Sequence, residues 1–82
     1  MQQTMQATFS MLIMSIASSA ATAMGLSPDP QSGEFSKDKN MARFNIDLLL
    51  MLKEKSKNNL TEEEQKFLDT VISDLQIKFV SI

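Results

Sequence analysis

Carboxylates are the first groups in this chain that could do chemistry. Asp29 to Glu34 fails the calcium-loop pattern, because Gln31 stands at its third position and no ligand series continues. Glu62, Glu63 and Glu64 could attract a cation, yet at a helix start they answer the positive end of the dipole. Asn59-Leu60-Thr61 matches a glycosylation acceptor, a three-residue pattern that chance supplies often. No serine sits in a nucleophile elbow or an S-x-x-K setting. With no histidine and no cysteine, the usual activating bases are gone. The remaining carboxylates and lysines lie outside the apolar stripes, where burial would tune a pKa. No glycine loop is built to cradle phosphate. No residue is assigned to catalysis, to a metal or to a cofactor, and the expectation is a protein that is not an enzyme.

Chemistry being absent, the elements carry the reading. Ile46 to Leu68 reads as a helix end, a tight turn and a capped helix start. The helix before the turn is expected over about 41–57. Arg43, Asp47 and Glu54 share one narrow charged face, with Arg43 and Asp47 four apart and able to pair weakly. The rest of that helix, from Met41 through Phe44 and Ile46 to Leu52, is apolar over far more than the roughly 100° one neighbour would bury. Two or more neighbours are expected. Lys53, Lys55 and Lys57 suit the negative helix end, and Asn58 and Asn59 tolerate a left-handed cap. Thr61 with Glu64 three residues on is a capping box. Leu60 precedes it, but its staple partner would be Gln65, so that contact is imperfect. The next helix, about 62–80, carries a stripe of Phe67, Leu68, Val71, Ile72, Leu75, Phe79 and Ile82. A short turn between two such helices predicts an antiparallel hairpin.

Met1 to Pro28 contains no charged residue. A membrane-spanning helix needs about 20 predominantly apolar residues. Here serines, threonines and Gln6 interrupt the run, and no Trp, Tyr, Lys or Arg flanks it. A signal peptide would offer Ala21-Thr22-Ala23 for cleavage but lacks its positive start. A helix over about 4–24 that does not cross a membrane fits better. Its apolar stripe is Met5, Phe9, Leu12, Ile13, Ile16, Ala20, Ala23 and Met24. Hydroxyl side chains from Thr4 to Thr22 form a second face, interrupted by Met11. Ala7, Ser10, Met14, Ala17 and Ala21 form a third, of mostly small residues. Small residues let helices approach closely, so this face is expected to be covered by another copy of the chain. Gly25 ends the helix. Residues 25–40 read as a linker, punctuated by Pro28, Pro30 and Gly33, with Phe35 expected to pin it to the core.

Eighty-two residues make one domain, 1–82, with a modest core of the kind that association often stabilises. The net charge of −2, with no basic cluster beyond helix ends, argues against nucleic acid. Without cysteine there is no disulfide framework, which is compatible with a reducing cytoplasm. Seven methionines in so short a chain are read as adaptable core filling, with a Met-rich contact groove as the sharper alternative.

Several of these residues also carry a resemblance. Phe9, Met24-Gly25, Pro28-Asp29-Pro30, Ala42, Ile46-Asp47-Leu48-Leu49 and the run M-L-x-E-K-[ST]-K-x-N-L-T-x-x-E at 51–64 resemble a family of small bacterial proteins. That family is a domain of unknown function, number eighteen forty-four. The resemblance runs from Phe9 to Phe79. Asn58 stands where the family pattern has Gly, and Gln76-Ile77 where a basic residue is usual. The resemblance implies a bacterial, cytoplasmic setting and supplies no activity.

The sequence therefore predicts an all-α chain of three helices (about 4–24, 41–57 and 62–80), assembled as a homo-oligomer, most simply a dimer. The expected contact residues are Ser10, Met14, Ala17, Ser18, Ala21, Ile77 and Val80. The expected role is a non-enzymatic, self-associating structural or adaptor module, with an unidentified protein as a second kind of partner. The alternative is a membrane-associated accessory protein that uses the uncharged first helix.

Overall fold

The computed structural model describes residues 7–82. Among these it holds three helices and no strand: α1 (Phe9–Ala23), α2 (Lys39–Lys55) and α3 (Glu62–Phe79). Each helix begins on a side chain that accepts from an otherwise unpaired backbone N–H. Thr8 accepts from the Met11 amide at 3.0 Å, Asp38 from the Met41 amide at 3.1 Å and Thr61 from the Glu64 amide at 3.1 Å. At the third start the Glu64 carboxylate also accepts from the Thr61 N–H at 2.9 Å, completing the capping box.

The caps move two boundaries from their expected places. α1 starts at Phe9, because the Thr8 hydroxyl serves as its cap and the backbone there is extended. The expected start at Thr4 and the stripe residue Met5 lie outside the described residues. α2 is shifted toward the N-terminus, to Lys39–Lys55, because Asp38 caps it. Its far end comes early, with Ser56 as the C-cap and its hydroxyl donating back to the Leu52 carbonyl. Asn58 then takes the left-handed conformation, φ 70°.

α1 closes in a Schellman motif. The Leu26 amide donates to Ala21 O and the Gly25 amide to Thr22 O, both at 3.0 Å, with Gly25 at φ 79°. The linker is tied by a few hydrogen bonds of its own. Asp29 and Glu34 close a loop through Asp29 N–H to Glu34 O at 2.8 Å and Gly33 N–H to Asp29 O at 2.7 Å. At its far end the Asp38 amide donates to Ala23 O at 2.7 Å, tying the cap of α2 to the end of α1. Phe35 does not pin this loop to the core: it is 65% exposed. Hydrogen bonds hold the loop instead, so no apolar anchor is needed.

Ile13, Ala20 and Met24 of the first segment meet Ala42, Ile46 and Leu49 of α2 and Leu68, Ile72 and Leu75 of α3. Every helix touches both others, and α1 packs most extensively on α2. Ala20 and Ala42, both fully buried, leave room for that close packing. The stripe read for α3 is the face it buries: Phe67, Val71, Phe79 and Ile82 flank its three core residues. Leu60 also packs on this core, although it lacks the staple partner. The molecule is flat, 40 × 36 × 16 Å, so little of it lies far from a surface.

Candidate functional site

Two of the acidic positions singled out in the sequence, Asp29 and Glu64, do structural work. The Asp29 carboxylate accepts from the Gln31 amide at 2.8 Å in a local side-chain turn. Glu64 is consumed by the capping box. Asp69 accepts from Lys53 Nζ at 2.9 Å and from Gln65 Nε2 at 3.2 Å. The Lys53 hydrogen bond holds the Asp69 carboxyl below its ordinary value; slight desolvation opposes it, while Gln65 and the Lys53 charge reinforce it. Among the described residues no three His, Cys, Asp or Glu side chains converge as metal ligands.

The buried polar side chain missed in the sequence is Asn45. It sits in the core face of α2, 6% exposed, and donates through Nδ2 to Met41 O at 2.9 Å. Its spacing carries the signal, since Asn45 takes the i+3 place in the buried run Ala42, Ile46, Leu49, but an amide on a helix reads as surface. It is satisfied locally, and among the described residues no buried side-chain nitrogen or oxygen lacks a partner.

The expected contact residues do not form one patch. Met14, Ala17, Ser18 and Ala21 line a shallow groove of about 480 Å³ whose other wall is α3, at Val71, Asp74, Leu75 and Lys78. Ala17 and Ala21 are half-buried there by their own chain, while Met14 and Ser18 are exposed. Ser10 lies half-buried one turn before Met14. Val80 belongs to a different groove, shared with Arg43, Asp47 and Leu50 of α2. Ile77 lines neither groove and is 68% exposed.

Exposed apolar side chains concentrate elsewhere as well. On α2, Ala42, Ile46 and Leu49 point into the core. At 100° per residue, Phe44 and Met51 fall on the opposite side and within about 20° of each other. They are 55% and 43% exposed. Met41, also exposed, and Leu48, half-buried, adjoin them on one flank, with the exposed Lys55 between Phe44 and Leu48, and Arg43, Asp47 and Glu54, all exposed, lie on the other. The two ion pairs among the described residues are Lys53–Asp69 and Lys78–Asp74, so Arg43, Asp47 and Glu54 pair neither with each other nor with any other described residue. The expected weak Arg43–Asp47 pair is not formed.

No described helix is long and apolar enough to cross a membrane. The 15 residues of α1 rise about 22 Å, against a hydrocarbon core of about 30 Å.

Over residues 6–81 the sequence matches the family described as Domain of unknown function (DUF1844). With the match covering nearly the whole chain, the protein belongs to that family. Neither the curated proteins nor the solved structures give a match to it.

Proposed function

We infer that this member of the family is a non-enzymatic helical module that works by contact, first of all with copies of itself. One observation carries the reading: each helix presents large apolar side chains to solvent. Met11, Leu12 and Met14 do so on α1, Met41, Phe44, Leu50 and Met51 on α2, and Ile77 on α3, with Val80 at its cap. Scattered exposed apolar residues are ordinary. Rows of them, on helices that already have two neighbours each, fit a surface that is covered in the working assembly.

Shape supports the same reading. The radius of gyration is 13.7 Å, where a chain of this length that packs fully on itself would have roughly 12 Å. A flat monomer gives its core little cover, and a second copy would thicken it. α2 and α3 act here as one antiparallel hairpin. Lys53 bridges to Asp69, and ten residues back along α2 Arg43 shares a groove with Val80. Lys39, at the start of α2, stands 5.8 Å from the centre of the Phe79 ring near the end of α3. Such a hairpin is a stiff base for a contact face. A cytoplasmic setting goes with this role.

Sedimentation of the intact chain at micromolar concentration tests the reading. The expected species is a homodimer. A well-folded monomer over the whole micromolar range would remove self-association and leave contact with a different protein.

A further inference from the structure

We propose that the outer face of α2 is the surface on which a second copy docks, antiparallel, with Phe44 of each chain against Met51 of the other. The proposal rests on the self-associating reading above and assigns it a surface and a register.

The face is self-complementary. A twofold axis through the midpoint of Phe44 and Met51 brings each onto the other's counterpart. In an antiparallel pair related this way, each flank of one helix meets the same flank of its partner. The apolar flank, Met41 and Leu48, therefore meets itself and is covered, with the Lys55 stem lying against Met41 of the other copy at each end of the seam and its ammonium left in water. On the charged flank, Arg43 falls within two residues of Glu54 of the other copy, an axial offset of about 3 Å. Side chains of this length span that offset, so two symmetric Arg–Glu pairs close the ends of the seam. Within one chain Arg43 and Glu54 are three turns and about 16 Å apart and cannot meet. The pairing leaves one cost: Asp47 lies close to the twofold axis and faces its own copy, like charge to like charge. Arg43 on either side moderates it.

No other face offers these features together. The groove at Ala17 and Ala21 already has α3 as its far wall, which accounts for small residues there without a second chain. On α3 the exposed apolar pair is Ile77 and Val80, at the helix end among Asp74, Gln76 and Lys78, with no acid–base pair placed to close a seam across a twofold axis.

Charge reversal with rescue tests the proposal on the intact chain, by sedimentation equilibrium with far-UV circular dichroism as the check on folding. Arg43→Glu and Glu54→Arg each place like charges together and are expected to raise the dimer dissociation constant by about tenfold or more. The double variant Arg43→Glu/Glu54→Arg restores opposite charges across the seam and is expected to recover dimerisation. Phe44→Glu is expected to give a folded monomer, because the side chain is outside the core. Asp47→Asn removes the repulsion at the axis and is expected to tighten the dimer. A wild-type monomer would overturn the self-associating reading itself. A wild-type dimer that the single reversals leave intact, or that the double variant fails to recover, would overturn this surface alone. A dimer weakened by Asp47→Asn would overturn the register.

Discussion

At the scale of single residues, two positions hold strain or charge that a substitution will expose. Gly25 sits at φ 79°, and a Cβ built there would stand 2.9 Å from Lys37 Cγ. The lysine side chain can swing away, but the backbone conformation stays unfavourable for any L side chain. Gly25→Ala is therefore expected to cost about 1–2 kcal/mol in urea denaturation. A change near zero would mean that the Schellman closure of α1 is not needed. Asp69 supplies the pH dependence. Its folded-state pKa lies below the ordinary 3.8, chiefly through the Lys53 hydrogen bond. The folded protein then binds that proton more weakly than the unfolded chain does. Stability from this carboxylate is present above the ordinary value and is lost as pH falls through the lowered one. Asp69→Asn should accordingly flatten part of the acid limb in thermal melts taken between about pH 5 and pH 2. Superimposable curves for the two proteins would remove the Lys53–Asp69 bridge as a contributor. Both residues are partly solvated, so the effect is one of a surface pair.

At the scale of elements, the capping box of α3 is the most local of the determinants and the easiest to read in advance. Thr61 and Glu64 declare it by spacing, and both reciprocal hydrogen bonds are formed. Thr61→Ala is expected to destabilise by about 1 kcal/mol, read from the denaturant midpoint. An unaltered midpoint would mean that water replaces the hydroxyl at no cost. Gly25 and Asn58 were legible for the same reason, since a positive φ selects few residues. Thr8 and Asp38 were not. Neither has a Glu or Gln three residues on, and Asp38 is followed by two polar residues that hide the helix behind it. Asn45 escaped because its type outweighed its place: it fills the i+3 position of the run Ala42, Ile46, Leu49, where a polar amide reads as surface unless it is satisfied locally. Phe35 shows the reverse failure. An aromatic in a linker suggests an anchor, but the loop closes through its backbone and leaves the ring outside. For the contact surface, Ile77 and Val80 were legible as residues off the α3 stripe. The wide apolar face of α2 was legible too, as a need for several neighbours. The angle at which α1 and α3 leave Phe44 and Met51 uncovered is a property of the assembled helices.

At the scale of the whole molecule, thinness becomes an energetic matter. A chain of 82 residues has roughly 4–12 kcal/mol of total stability at ordinary values per residue. With a 16 Å thickness, its core is a single layer shared by three helices. Covering exposed apolar side chains by a second copy adds to that stability, but only in proportion to the population of dimer. Unfolding then includes dissociation, and its midpoint depends on mass action. The melting temperature of the wild-type chain is expected to rise by a few degrees for each tenfold increase in concentration from low micromolar upward. Phe44→Glu, which removes the proposed seam without entering the core, should melt lower and show no such rise. Calorimetry on both proteins at three concentrations would decide the matter. A wild-type midpoint that does not move with concentration would show that the flat monomer carries all of its own stability, and that its exposed methionines and phenylalanines serve some contact other than with itself.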